Sequence, residues 1–313
     1  MDLTDFSKRR FLIVGGTTKA GTTSLYTYLA SHPQVGASSI KETRFFLDSS
    51  YPVPIAVPFS RGLNGYADFF LHCSPAACGD RVLMEASPDY LYSATSLRIA
   101  DLLPRARIVF SLREPVDRLV SWFKYAKQKG LLAEPVTFEE YVQTQMNSKV
   151  VADTPVHLRA LEQGRYSLYL APFLAAMRER VLLVSFERLT ESPQQVMSLI
   201  CEFVGIEPGY YADYRFTVEN KSHGVKYPML DKMYRGIRRR IAFRVHSQER
   251  VFSALRRVNS YLKLLVQRNY QPVAAVMVDG PLRERLHEYY AAELALCQQL
   301  RQASVVQVCR DIK

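Results

Sequence analysis

An α/β fold of three layers, with a central parallel sheet and helices on both faces, is what the order of apolar patterns predicts. Three observations carry it. Short β-rich runs alternate with helical periods. The first run feeds a glycine-rich turn that opens a helix. The chemistry-bearing strings fall directly after the runs, where open parallel sheets bind ligands. The clearest strands are 11–15, 81–85, 107–112 and 181–185. Helical periods fall at 22–31, 95–103, 115–129, 166–179 and 193–204, with a final helix at 282–302.

Phe11-Leu12-Ile13-Val14 is the first strand, and Gly15-Gly16-Thr17-Thr18-Lys19-Ala20-Gly21-Thr22-Thr23-Ser24 leads from it into a helix carrying Leu25 and Leu29. Small residues let backbone N–H groups converge on an anion, the helix start adds partial positive charge, and Lys19 supplies a full one. A phosphate-bearing ligand is the expectation. The fold expected is therefore P-loop-like, although the nucleoside-triphosphate motif G-x-x-x-x-G-K-[ST] is not met. Gly16 and Gly21 have its spacing, but Thr22 stands at the lysine position and Lys19 precedes the second glycine.

The helix at 115–129 opens on Pro115, which suits a first turn, and Val116, Leu119, Val120 and Phe123 form its apolar stripe. Arg118 and Ser121 share a different face. Arg113, at a strand end, and Ser121, eight residues later, supply a fork donor and a hydroxyl donor for one phosphate. The segment 48–65, with Pro52, Pro54, Pro58, Gly62 and Gly65, reads as an irregular loop and a candidate acceptor rim.

Thr17 through Leu25 match T-x-K-x-G-T-[TS]-x-L, and here the chain resembles the sulfotransferase superfamily. The resemblance implies 3′-phosphoadenosine 5′-phosphosulfate (PAPS) as donor and 3′-phosphoadenosine 5′-phosphate (PAP) as product, without a metal. Lys19 then stands at the bridging oxygen that leaves with the nucleotide. Thr17, Thr18, Ala20, Gly21, Thr22, Thr23 and Ser24 complete the loop at the 5′-phosphate. The string Arg113-Glu114-Pro115-Val116-Asp117-Arg118-Leu119-Val120-Ser121 is similar to the 3′-phosphate motif, giving those roles to Arg113 and Ser121.

Lys41-Glu42-Thr43-Arg44-Phe45-Phe46 is similar to K-E-x-H-F-F of the branch that sulfates polysaccharides, including heparan sulfate. Glu42 is the candidate base, since sulfuryl transfer to a hydroxyl needs a proton acceptor. Lys41 and Arg44, the latter in the histidine's place, join it on the acceptor side. Glu85-Ala86-Ser87-Pro88-Asp89-Tyr90 has Ala86 where heparan-type relatives carry lysine, and Ser87 and Tyr90 are expected to line the acceptor pocket; Pro88-Asp89 reads equally as a turn. Related enzymes close a basic loop over the 3′-phosphate and adenine, which nominates Lys221, Ser222, Gly224 and Lys226. Cytosolic small-molecule sulfotransferases use a histidine base, so His72 and His157 stay open beside Glu42. Arg285-Leu286-His287-Glu288-Tyr289-Tyr290 looks like the family's closing L-x-x-Y-Y helix.

The 313 residues, 48% hydrophobic, suffice for one domain over 1–313, with a basic helical insertion at about 229–270. From Asp231 to Tyr270 eleven Lys or Arg face two acidic residues, whereas the rest of the +11 chain is near neutral. That tract suggests docking on an anionic surface: a membrane face, an acidic carrier or an acidic acceptor. It reads equally as core-packed helices with a solvated basic face. Nucleic acid is not expected, as no recognised motif accompanies the charge.

The six histidines show no metal-ligand spacing. Five cysteines without C-x-x-C spacing, no apolar run of 18 residues and no signal-peptide pattern make a cytoplasmic enzyme the expectation, with peripheral membrane attachment through the basic tract as its variant. The acceptor is a hydroxyl of a sugar, a lipid, a secondary metabolite or a carrier-bound chain. Two rivals use some of the same residues. A P-loop kinase needs a lysine after Gly21 and a strand-terminal aspartate for Mg²⁺; a non-catalytic nucleotide-binding, membrane-docking module has no need of Glu42.

Overall fold

The computed structural model describes residues 3–73, 79–217, 223–225, 270–272 and 276–302. Five strands form one parallel sheet: β1 (Phe11–Gly16), β2 (Val35–Ala37), β3 (Val82–Ala86), β4 (Ala106–Leu112) and β5 (Val181–Ser185), in the order β2-β3-β1-β4-β5. All four pairings are parallel. Every residue of β1, β3 and β5 is buried, as a sheet covered on both faces requires.

Alternation along the strands divides the core. Phe11, Ile13, Leu83, Ile108, Phe110 and Leu183 meet Phe173 and an aromatic cluster around Tyr66 and Phe70 on one face. Leu12, Val14, Met84, Val109, Leu182 and Val184 meet Leu25, Leu29, Met197 and Ile200 on the other. The main helices are α1 (Thr22–Ser31), α2 (Pro115–Gln128), α3 (Phe138–Met146), α4 (Tyr166–Met177), α5 (Phe186–Glu191), α6 (Pro193–Val204), α7 (Gly280–Tyr289) and α8 (Ala291–Gln302), with shorter ones at Leu3–Ser7, Gly62–Ala67 and Ile99–Leu102. A third cluster, with Leu119, Phe123, Tyr141, Leu282 and Leu286, joins α2, α3 and α7.

The four expected strands and the helices at 22–31, 115–129, 166–179 and 193–204 are present within a few residues. Several elements differ, among them β2 and α5, which have no counterpart in the periodicity reading. The 95–103 period becomes a 3₁₀ stretch, Ala94–Arg98, and a short helix, Ile99–Leu102. The final helix breaks after Tyr289, because Tyr290 turns inward, donates to the Leu161 carbonyl at 2.5 Å and lies where a Cβ on Gly164 would sit, 2.6 Å away. Helix α3 has no counterpart in the periodicity reading, although its Thr137/Glu140 capping box is legible in the sequence. Among the described residues, no helix is long and apolar enough to cross a membrane.

Of the basic loop, Gly224 lies in a short strand, His223–Val225, antiparallel to Tyr270–Pro272. Lys221, Ser222 and Lys226 fall outside the described residues, as does the tract 231–269.

Candidate active site

Strands β3, β1 and β4 are neighbours, so the segments leaving their carboxyl ends share one rim. There they surround a cavity of about 770 Å³. Thr18, Lys19, Gly21, Thr22, Thr23, Ser24, Lys41, Glu42, Arg44, Arg113 and Ser121 all line it. Thr17 and Ala20 are buried beneath the same loop.

The loop's backbone is held from the side of β4 and α2. Thr17 N–H donates to the Ser111 carbonyl at 2.8 Å. Ser111 Oγ donates to the Ala20 carbonyl at 2.7 Å, and Arg118 Nε to that of Thr18 at 3.1 Å. Arg113 Nη1 lies 3.5 Å from the Lys19 carbonyl. Lys19 and Gly21 have φ of 73° and 77°. Gly21 is required twice over, since a Cβ there would also stand 3.0 Å from Leu189 and Phe186 of α5. Gly21 caps α1 without a side-chain hydrogen bond, leaving that helix start to an anion.

Lys19 extends over the Tyr125 ring, 4.6 Å from its centre, and Lys129 lies 5.3 Å from the same ring. Burial, with Arg113, Lys129 and Arg118 adding repulsion, pushes the Lys19 ammonium down to about 8. The Arg113 guanidinium rests 4.7 Å from the Phe186 ring centre, and Ser121, 9% exposed, faces the same cavity from α2. The two side chains expected to hold a second phosphate therefore border the space that the loop borders.

Glu42, in the same cavity wall as Lys41 and Arg44, pairs with them at 3.1 Å and 2.8 Å. Burial raises its pKa, but the two cations outweigh burial and hold the carboxyl below its usual range. Pro52 and Val53 bring the irregular stretch 48–58 into this wall, whereas the rest of the expected loop is helical, with a 3₁₀ turn at Phe59–Arg61 and a short helix at Gly62–Ala67. His157 also lines the cavity, with burial lowering its pKa, whereas exposed His72 bonds the Ala37 carbonyl outside it.

Ser87 and Tyr90 are a correction. They lie beneath the cavity, 1% and 0% exposed, because buried Glu85 draws hydroxyls inward. Its carboxylate accepts from Ser87 and Thr43 at 2.7 Å, Tyr90 at 2.8 Å and Tyr66 at 3.1 Å. Ser87 Oγ in turn accepts from the Arg44 N–H at 3.0 Å, and Tyr90 OH from that of Phe46 at 3.2 Å. They brace the segment that presents Glu42 and are not part of the cavity wall. Burial raises the Glu85 pKa against these four donors.

Sequence reading missed Asp89 as a wall residue. It lines the cavity and accepts from Thr18 Oγ1 at 3.2 Å and Tyr51 OH at 3.1 Å; burial and nearby Glu42 raise its pKa. Its position after a strand's carboxyl end was the available signal. Tyr125, four residues after Ser121 and hence on one helical face with it, was findable by the same periodicity.

A family model for the sulfotransferase domain matches residues 8–221, which include the loop, Glu42, Arg113 and Ser121. The chain belongs to the sulfotransferase family. It is 31% identical over 251 residues to the bifunctional heparan sulfate N-deacetylase/N-sulfotransferase 2 of Bos taurus, covering 71% of this chain and 27% of that protein. With the Homo sapiens protein of the same name identity is 33% over 211 residues, covering 64% and 22%. This sulfotransferase chain thus spans about a quarter of the length of the curated relatives it matches. A solved sulfotransferase from Alicyclobacillus acidocaldarius shares the fold, with TM-score 0.55 and 24% identity over 75% of this chain and 93% of that one.

Proposed function

We propose that the protein transfers a sulfuryl group from PAPS to an acceptor hydroxyl. The observation that carries this reading is that the Lys19 loop, the Arg113 and Ser121 pair and Glu42 all border one cavity. The loop together with the Arg113 and Ser121 pair suits a nucleotide with phosphate at both ends, and the carboxylate suits an acceptor that must lose a proton.

In the proposed step the acceptor oxygen forms a bond to sulfur as the bond from sulfur to the bridging phosphate oxygen breaks, and PAP leaves. Glu42 takes the acceptor proton. Lys19 stabilises charge developing on the bridging oxygen, as oxyanion donors do elsewhere. Arg113 and Ser121 grip the 3′-phosphate and so favour this nucleotide over ATP.

Calorimetry with PAP against ATP and Mg²⁺ tests the donor; preferential ATP binding would overturn it. Labelled PAPS screened against sugars, lipids, secondary metabolites and carrier-bound chains tests the acceptor. Heparan sulfate and an amine join the panel, because the relatives' names specify N-sulfation of that polymer. Glu42→Gln is expected to spare PAP binding and lower turnover about 10²- to 10⁴-fold, the range for a general base. A cytoplasmic site of action, with the basic stretch 231–270 touching an anionic surface, is also proposed from that stretch's charge excess. Joint neutralisation of Arg238, Arg239 and Arg240 that changed neither acceptor KM nor co-sedimentation with anionic vesicles would dismiss the docking.

A further inference from the structure

Among the described residues Arg118 is the largest fully buried side chain, 0% exposed, and it makes no ion pair with a carboxylate. An uncompensated buried cation is costly unless its donors are satisfied and an opposite charge comes close. Each of its three nitrogens has a partner: Nε meets the Thr18 carbonyl at 3.1 Å, Nη1 the Ala160 carbonyl at 2.9 Å and Nη2 the Tyr92 hydroxyl at 3.2 Å. Tyr92 OH is itself bonded to Thr17 Oγ1 and donates to the Gln163 carbonyl at 2.9 Å. Among the described residues no carboxylate supplies the opposite charge by an ion pair.

Arg118 acts together with Ser111. Ser111 Oγ, also 0% exposed, holds the Ala20 carbonyl at 2.7 Å, two residues after the carbonyl that Arg118 holds. In a trans peptide the N–H of the next residue points opposite to the carbonyl. Pinning the carbonyls of Thr18 and Ala20 by Arg118 and Ser111 therefore turns the N–H groups of Lys19 and Gly21 away from those two side chains. Lys19 has a left-handed φ of 73°, a conformation disfavoured for a residue with a Cβ, so the surrounding bonds must hold it.

We propose that Arg118 and Ser111 are positioning residues for the 5′ end of the donor nucleotide: they orient the loop's N–H groups toward its phosphate, whose negative charge is the counter-charge that Arg118 lacks. The inference rests on the donor reading above and adds to it two residues that need not touch the nucleotide. It also divides the labour along one string, in which Arg113 and Ser121 serve the 3′-phosphate and Arg118, between them, serves the other end.

Two ligands separate this role from general damage: PAP, which has a 5′-phosphate, and adenosine 3′-monophosphate, which lacks one. Calorimetric Kd values would be measured for both with the full-length wild type, Ser111→Ala and Arg118→Lys, the last keeping the charge without the fork. For Ser111→Ala the PAP Kd is expected to rise about tenfold, and for Arg118→Lys about 30-fold, the scale of one or two lost bonds. The Kd for adenosine 3′-monophosphate is expected to stay within about twofold, since neither substitution alters the 3′ side. Equal weakening of both ligands, or of neither, would overturn the proposal. If Arg118→Lys does not fold, the PAP selectivity of Ser111→Ala decides it alone. A wild type that binds adenosine 3′-monophosphate as tightly as PAP would also overturn it. A wild type that prefers ATP to both would sink the donor reading itself.

Discussion

Lys19 is expected to take up a proton when PAP binds. Its ammonium sits at about 8 in the free protein against an ordinary 10.5, through burial first and then repulsion from Arg113, Lys129 and Arg118. At about 1.4 kcal/mol per unit, keeping it charged at pH 7 costs about 3 kcal/mol. Phosphate charges on the loop oppose that cost and return the ammonium toward its ordinary range. The free site is half protonated at pH 8, so binding takes up roughly half a proton there and roughly a tenth at pH 7. Titrating PAP in two buffers of different ionisation enthalpy measures this directly, because the difference in heat reports the protons exchanged. Lys19→Arg, which stays charged, is expected to remove the exchange. Buffer-independent heats at pH 8, or undiminished uptake in Lys19→Arg, would refute the assignment. The sign for stability follows: the folded-state value lies below the unfolded one, so the penalty is complete below about pH 8 and fades toward pH 10.5. The free protein therefore gains stability from this group across that window.

Arg113→Ala is expected to weaken PAP about 10- to 100-fold and adenosine 5′-monophosphate much less, as calorimetry would show, because on the proposed reading the lost charged donor grips the 3′-phosphate and reaches the loop only through a long contact, 3.5 Å from the Lys19 carbonyl. Glu85→Ala strands four buried hydroxyl donors and should cost about 3 kcal/mol or more in urea unfolding, whereas an unchanged midpoint would deny Glu85 its bracing role. Gly164→Ala drives a Cβ to within 2.6 Å of Tyr290 and should cost about 1–3 kcal/mol by overpacking. Thermal unfolding checks it, with Tyr290→Phe as the milder control that loses one hydrogen bond, worth about 1 kcal/mol.

Local pattern was enough wherever one segment settles its own conformation. The apolar runs of β1, β4 and β5 are buried on both faces and so read as continuous stretches, and α2 announces itself through Pro115 and its stripe. The loop from Thr17 to Ser24 was legible for the same reason, since small residues, a lysine and a helix start together leave little but anion binding. Strand β2 escaped because three residues, Val35–Ala37, carry too little periodicity. The break at Tyr290 escaped because it is made by Gly164 and Leu161, far away in the chain.

The sequence by itself determined four of the five strands, the loop, the candidate pair Arg113 and Ser121 and the family resemblance, because each depends on residues close together in one stretch. Only the tertiary structure decided which polar groups face the cavity. Ser87 and Tyr90 sit in the same string as Asp89, yet the first two turn inward to Glu85 and the third lines the wall. Arg118 and Ser121 share one helical face by periodicity, yet the loop packs over the arginine and buries it, while the serine reaches the cavity. The reason is physical: a buried charge or hydroxyl goes where partners from other segments satisfy it, and those partners are known only once the chain has folded.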